Sequence, residues 1–446
     1  MTASTAHTAS SYTSATVMNG AAIAPLQRLT LFLCFLVVAA DGFDVASVGY
    51  VAPLLKRAWS ATPAQLGQIF GAGLLGLAMG SFLFGPLADR IGRKRVILIS
   101  MVLFALGSLA SALATSPNEL TLLRMLTGIG LGGAMPTAIT LSSEFSPERN
   151  RSWLVTLMFC GFTLGLACGG ALAAVLIPRF GWQGVFIFGG VAPLLLVPVI
   201  WRWMPESLRF MEGKPKFAAE SRAVLERLTG RSGLTLQTSL GPEPDATLTG
   251  GIVATLFSPH YRKGTILLWI CFFCTLWVYY QISSWLPTSM TGAGIDIARA
   301  ATIGAMMPLG GTIGSLINAW LMDRHNPFFV LTVSYLVAAV SIACIGQSID
   351  HAAWLYVAVF FTGLGLSGAQ TGANVLVSGF YTTVARATGV SWALAVGRLG
   401  SIVGATTGGL LLAGMPSLQF AFTAFALPTL IAAAAMVATG RFYRRT

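Results

Sequence analysis

The stretches TGIGLGGA at residues 127–134 and TGLGLSGA at residues 362–369 lie 235 positions apart. The same offset carries Arg151 onto Arg386 and Gly165 onto Gly400, and one position fewer carries Asp89 onto Asp323. An internal repeat of this length points to two related halves, and parallel halves with a site between them near the bilayer midplane are a transporter plan.

The residues around the repeat say what each half is made of. The chain has 446 residues, 55% of them hydrophobic and only 9% charged, where a soluble domain carries roughly a quarter charged. Apolar runs long enough to cross ~30 Å of hydrocarbon as helices fall at 29–55, 64–88, 96–114, 119–143, 152–178 and 182–203. They resume at 264–290, 298–322, 327–347, 352–378, 386–412 and 417–440. The fold class expected is therefore an all-α integral membrane protein with twelve transmembrane helices in two six-helix halves. The organisation expected is an N-terminal tail (1–28), a first half (29–203), a linker (204–263), a second half (264–440) and a short tail (441–446). In the linker, FAAESRAVLERL reads as a short amphipathic helix and GPEPDATLTGG as a flexible connection.

Charge sets the expected orientation. Arg28, the Arg90/Arg93/Lys94/Arg95 cluster, Arg149, Arg151, nine Lys and Arg between Arg202 and Lys263, and Arg324, Arg386, Arg441, Arg444 and Arg445 share one side. The other side holds only Lys56, Arg57, Arg179 and Arg299. The positive-inside rule puts both termini and the linker in the cytoplasm, and so the chain in the cytoplasmic (inner) membrane. The net charge of +12 is an orientation device and implies no nucleic-acid partner. Residues 1–25, rich in Ser, Thr and Ala, lack the basic start and apolar core of a signal peptide and read as a disordered tail. All six cysteines fall in apolar spans, so no disulfide framework is implied, and Cys271 and Cys274 read as packing residues. No metal cluster, nucleophile–base pair or phosphate loop is visible, so no enzyme and no cofactor is expected.

At this point the residues carry a resemblance. GPLADRIGRKR (85–95) resembles the signature between the second and third helices of the major facilitator superfamily. LLRMLTGIGLGG (122–133) resembles its fourth-helix signature, with the buried arginine falling on Arg124, and MPESLRF (204–210) fits the end of its sixth helix. DGFD (41–44), SEFSPERNR (143–151) and RATGVSWALAVGRLG (386–400) are similar to its aromatic acid:proton symporter family. The resemblance implies a major facilitator fold, import of small aromatic carboxylates such as benzoate or hydroxybenzoate together with protons, and the lipid bilayer as environment. A monomer is the expected unit. Leu166 stands in GFTLGLACGG where drug/proton antiporters of the superfamily have proline, and the seventh span, WVYYQISSWLP, lacks the glutamine-rich signature of sugar porters. An exporter or uniporter of other small organic anions remains the alternative.

Four ionisable positions stand inside spans. Asp41 lies 13 residues beyond Arg28, about 20 Å along a helix, and Asp44 is three further on, on the same face. A charge at mid-membrane costs roughly 2.5–3.5 kcal/mol on insertion scales, so it faces a cavity or a partner, and two carboxylates this close do not both ionise easily. Asp41, Asp44 and Arg124 are the candidates for proton coupling. A fixed ion pair with Arg124 and direct contact with substrate are the other readings. Arg398 sits 12 residues into the eleventh span, where the repeat offers Thr163. A guanidinium takes a carboxylate through two parallel hydrogen bonds, so Arg398 is the candidate for the substrate's carboxylate, an internal salt bridge to Asp41 or Asp44 being the alternative.

For the ring, Tyr279, Tyr280 and Trp285 offer flat walls, and Gln281, Gln370 and Asn374 offer hydrogen bonds, each aromatic having ordinary packing as its other reading. Gln370 and Asn374 replace Met135 and Ile139 of the repeat. At the cytoplasmic ends a gate is expected in which Asp89 meets the start of the eleventh span at Arg386 and Asp323 meets Arg151. Glu144 ties the fourth span to the Arg90 cluster within its own half. Solvated surface charge is the alternative for all of these, and His325 reads as a loop residue.

Overall fold

The computed structural model describes residues 11–12, 17–19, 23–212, 214–230, 235–236, 256–381 and 383–443, leaving the side chains of 11–12, 152, 235–236, 383–387 and 443 aside. The first half is built from α1 (Pro25–Trp59), α2 (Pro63–Ile91), α3 (Arg93–Ser111), α4 (Pro117–Glu144) and α5 (Arg151–Trp203). The short α6 (Leu208–Met211) and α7 (Ala218–Thr229) follow. The second half is α8 (Arg262–Gly292), α9 (Ile297–Met322), α10 (Pro327–Gln347), α11 (Ala352–Phe380), α12 (Thr383–Gly414), α13 (Leu418–Phe425) and α14 (Leu427–Tyr443).

The 53 residues of α5 would run about 80 Å as one helix, against ~30 Å of hydrocarbon. Gly181 breaks it, at φ 66° and ψ −170°, a conformation that glycine adopts without a Cβ penalty. Two crossings result, and α13 with α14 makes one more, so the twelve expected spans are present and the chain is a multi-pass membrane protein. Their starts follow local chemistry. Thr62 and Gln65 form a reciprocal capping box with Pro63 at the first helical position, and Ser116, Asp296, Asn326 and Ser417 accept from the first free N–H groups of α4, α9, α10 and α13.

The repeat in sequence becomes a repeat in packing. α1 lies along the first limb of α5 and α2 along α4, while α8 lies along α12 and α9 along α11. Gly76 and Gly80 press their backbone on the carbonyls of Met125 and Ile129, and Gly310 and Gly314 press theirs on Phe360 and Leu364. The first set maps on the second by 234 and the carbonyls by 235. A Cβ at any of these glycines would strike the neighbouring carbonyl, so the helices approach as closely as small residues allow in membranes.

The apolar core is unevenly shared. One cluster unites the halves, joining Val51, Leu66, Phe70 and Trp182 with Trp285, Ala301 and Ala405. It lies toward the helix ends remote from the termini. On the terminal side each half keeps its own cluster, one around Ile97, Leu141, Phe145 and Met204 and the other around Leu268, Tyr335, Val377 and Met436. The two halves therefore form a wedge that is sealed at one end and open toward the termini.

The linker and tail are partly ordered. The expected amphipathic helix is α7, which inserts Val224 and Leu225 into the first half's cluster and ends at Gly230. GPEPDATLTGG lies outside the described residues. In the tail, expected to be disordered, Ser11–Tyr12 pairs in parallel with Thr235–Leu236, Met18 is buried, and the Gln27 amide donates to the carbonyls of Met18 and Phe145. Helix α1 already starts at Pro25 because Gln27 caps Ala24.

Glu206, past the sixth crossing, caps α3 across 113 positions. Its Oε1 accepts from the backbone N–H groups of Arg93 at 2.8 Å and Lys94 at 3.2 Å, and from its own neighbour Ser207. Burial pushes this carboxyl above the usual carboxylate range, and the N–H groups of Ser207, Lys94 and Arg93 pull it partly back. Loss of a capping side chain costs about 1 kcal/mol. Glu206→Ala is expected to lower the melting temperature in detergent, and Glu206→Gln, which keeps an acceptor, by less. Equal melting of both variants and the wild type would remove the cap from the folding account.

Candidate functional site

Helix α1 brings two carboxylates to mid-depth because its neighbour approaches closely there. Gly42 lies against the Phe162 carbonyl and Gly165 against that of Ala39, which buries Asp41 completely and Asp44 to 3% exposure. Their fates then differ. Both oxygens of Asp44 accept from Nη1 of Arg124, at 3.1 and 3.2 Å. The rest of that guanidinium is also engaged. Nε and Nη2 donate to Ser111, Nη2 also to Thr127, and the group lies 4.7 Å from the ring centre of Phe186. Arg124 thus ties α1, α3, α4 and the second limb of α5 together with no donor to spare.

Asp41 has no hydrogen-bond partner on either oxygen. Arg398 and Tyr280 are near enough to act on it electrostatically, but no ion pair forms. Among the described residues the side chain of Arg398 makes no ion pair or hydrogen bond, and it is half-buried. Its counterpart in the repeat, Thr163, accepts a 2.7 Å hydrogen bond from Thr312 across the two halves. The Arg398 position thus belongs to the facing wall at the same depth, where an open donor set takes the place of a bonded hydroxyl.

Above this level lies a partly open cavity between the halves. Asp44 and Arg124 form part of its wall, Tyr279 and Tyr280 another, and Tyr50, Phe70 and Phe162 face them. Other expected ring contacts lie elsewhere. Gln281 is buried with its Nε2 unpartnered. Trp285 donates from Nε1 to the Ala405 carbonyl at 2.8 Å and meets Phe70 edge-on at 5.1 Å, which makes it part of the seam between the halves. Gln370 donates to Asn374 at 3.3 Å, and neither lines this cavity. The sequence reading passed over Ser283 and Ser284, which do line it. Their spacing of four from Tyr279 and Tyr280 puts them on the same helix face, a signal present in the sequence.

At the open end, Asp89 pairs with Arg93 within its own half at 2.9 Å. Arg93 also reaches Glu144 at 3.5 Å, and Glu144 accepts from the Ser207 hydroxyl. Arg90 and Asp323 are exposed, as is His325, and the Nε of Arg151 is buried without a partner. The side chain of Arg386 lies outside the described residues. The expected meeting of Asp89 with Arg386 therefore falls outside the described residues, and among the described residues Asp323 and Arg151 do not pair. Cys271 and Cys274 are buried, the former beside the Tyr335 hydroxyl.

The sequence profile of the Major Facilitator Superfamily matches residues 34–404 and 294–445. The gallate transporter of Pseudomonas putida is 44% identical over 94% of this chain and 93% of its own length. The 4-hydroxybenzoate transporter PcaK of Pseudomonas aeruginosa is 42% identical over 95% and 94%. Among solved structures, the partially occluded inward-open conformation of the xylose transporter XylE from Escherichia coli superposes with a TM-score of 0.72 at 16% identity, over 92% of this chain and 97% of that one, a likeness of fold alone.

Removing one member of a buried ion pair costs about 3–5 kcal/mol, whereas replacing both by neutral groups is often close to neutral. Asp44→Asn is accordingly expected to lower thermal stability in detergent sharply by stranding Arg124, and adding Arg124→Gln to restore most of the loss. Losses that simply add in the double variant would show that the pair is not the tie described.

Proposed function

The chain belongs to the Major Facilitator Superfamily, and from that premise we propose that it imports small aromatic carboxylates of the benzoate or hydroxybenzoate type across the cytoplasmic membrane, in symport with protons, by alternating access. The relatives whose printed names carry gallate and 4-hydroxybenzoate support the substrate class. The observation that carries the mechanism is the division of the buried charges. Arg124 is saturated by Asp44, Ser111 and Thr127, while Arg398 and Asp41 are near one another and unbonded.

Two carboxylates then compete for one guanidinium. An ionised carboxylate without a partner is costly in such surroundings, so Asp41 holds a proton unless a cation approaches. With Asp41 protonated, Arg398 offers its fork to the carboxylate of the substrate, and the ring enters the cavity beside Tyr279 and Tyr280. When the proton leaves toward the cytoplasm, Asp41 draws Arg398 to itself and the substrate anion is released. The positive-inside bias places the termini, and hence the open end of the wedge, in the cytoplasm, so the conformation described is the inward-facing one. The halves 29–203 and 264–440 rock about the mid-depth level where Thr163 meets Thr312. Closing the inner end brings Asp89 toward the start of α12 at Arg386 and Asp323 toward Arg151, with Arg90 and Glu144 holding the first half's end in shape. Gln370, Asn374 and Gln281 serve the site once the walls close, with Trp285 in its rear seam. A single chain holds both halves, so a monomer suffices.

The test is uptake of labelled 4-hydroxybenzoate into cells expressing the full chain, at pH 6 and pH 8, with and without a protonophore. Uptake is expected to be greater at pH 6 and to collapse with the protonophore. Arg398→Ala should abolish it. Asp41→Asn should retain exchange of internal for external substrate but lose accumulation, and Asp89→Asn should slow uptake with binding largely kept. Uptake indifferent to the protonophore would make the protein a uniporter. Full transport by Arg398→Ala would remove the carboxylate site.

A further inference from the structure

The outer end of the cavity carries hydroxyls that the scheme above leaves unused. Ser283 and Ser284 line it from α8 and are half-buried, and neither hydroxyl bonds to any described residue. Elsewhere on the spans such hydroxyls commonly turn back to the carbonyl one turn before, as at Ser81, Ser111, Thr275, Ser289, Ser315 and Thr362. Two adjacent hydroxyls that do not, beside a cavity, are available to an outside partner.

Their depth indicates what the partner is. The backbone of Gly49 lies against the Ser283 carbonyl and the Cα of Ser284, so these serines stand level with Gly49. Asp41, beside Arg398, is eight residues earlier on α1, about 12 Å lower along the helix axis. A guanidinium–carboxylate hydrogen bond, a benzene ring carrying a carboxylate and a hydroxyl opposite one another, and a hydroxyl–serine hydrogen bond together span about 12 Å, the two bonds taking about 2.8 Å each. Tyr280, near enough to Arg398 and Asp41 to feel their charges and itself lining the cavity, flanks the path between.

We infer that Ser283 and Ser284 are specificity-determining residues that read a ring hydroxyl remote from the carboxylate, para or meta to it. The inference rests on Arg398 as the carboxylate anchor. An ortho hydroxyl stays at the Arg398 end and cannot reach the serines. An unsubstituted ring leaves both serine hydroxyls without the partner they are placed for, and a site built to bond a substrate hydroxyl discriminates against the analogue lacking it.

The experiment is competition against uptake of labelled 4-hydroxybenzoate by the full chain, using unlabelled 4-hydroxybenzoate, 2-hydroxybenzoate, benzoate and 4-methylbenzoate. In the wild type, 4-hydroxybenzoate is expected to compete at least about tenfold better than the other three, tenfold corresponding to about 1.4 kcal/mol. In Ser283→Ala/Ser284→Ala that ratio should fall toward one, and Ser283→Thr/Ser284→Thr, which keeps the hydroxyls, should recover it. A double-alanine variant that weakens every competitor equally would mean a packing role and overturn the inference. Should that variant not reach the membrane, the wild type still decides, because equal competition by 4-hydroxybenzoate and 4-methylbenzoate, alike in shape, would overturn it. Absence of any uptake or competition by aromatic acids in the wild type would instead sink the transport reading on which this one rests.

Discussion

A polar group inside hydrocarbon has no water to turn to, so it finds a partner within the protein or carries a free-energy cost. The Asp44–Arg124 pair is where this constraint bears hardest. Its guanidinium gathers four segments of the first half around one point, with hydrogen bonds to Asp44, Ser111 and Thr127 and a ring face at Phe186. A buried pair of this kind is weak evidence for added stability, but it strongly specifies which side chains meet. With Arg124 held, the remaining cation at mid-depth, Arg398, and the remaining carboxylate, Asp41, are left to each other and to what enters the cavity.

The same shortage of driving force shapes the helix packing. Lipid tails are as apolar as leucine, so helices in a membrane associate by close contact and not by burial. Glycines on α2 and α9 let these helices lie on the carbonyls of α4 and α11, in matched positions in the two halves. Each half is thereby closely packed within itself. Between the halves the contact is concentrated at one end, in the cluster around Phe70 and Trp285, while the other end has separate cores. Two closely packed halves meeting at one end form a wedge, the geometry that a rocking motion about a central site needs.

The two halves differ most sharply at mid-depth, where the repeat is broken. Thr163 and Arg398 occupy related positions, one satisfied across the halves by Thr312 and the other unbonded. Asp41 and Asp44 have no acidic counterpart in α8, which presents Tyr279, Tyr280, Ser283 and Ser284 to the cavity instead. The duplicated scaffold repeats the packing, and the proposed site is drawn from the residues that the repeat does not match.

The sequence by itself determined the span count, the repeat and the helix starts, because each rests on local composition: apolar runs of bilayer length, fixed offsets, and caps such as Thr62 with Gln65. It also singled out Asp41, Asp44, Arg124 and Arg398, since an ionisable residue amid apolar ones stands out in any reading. Which partner each would take was legible only in three dimensions. Arg124 chooses Asp44 over Asp41 because Ser111 and Thr127, from separate elements, fix its orientation, and no spacing along α1 contains that information. Trp285 and Gln281 share a helix with Tyr280, yet one lies in the seam and the other is buried away from the cavity, because a few tens of degrees around α8 divide wall from packing. The Glu206 cap joins residues 113 positions apart, and the open end of the wedge reflects which of two arrangements of the halves is adopted. Those features depend on long-range packing, which local pattern does not encode.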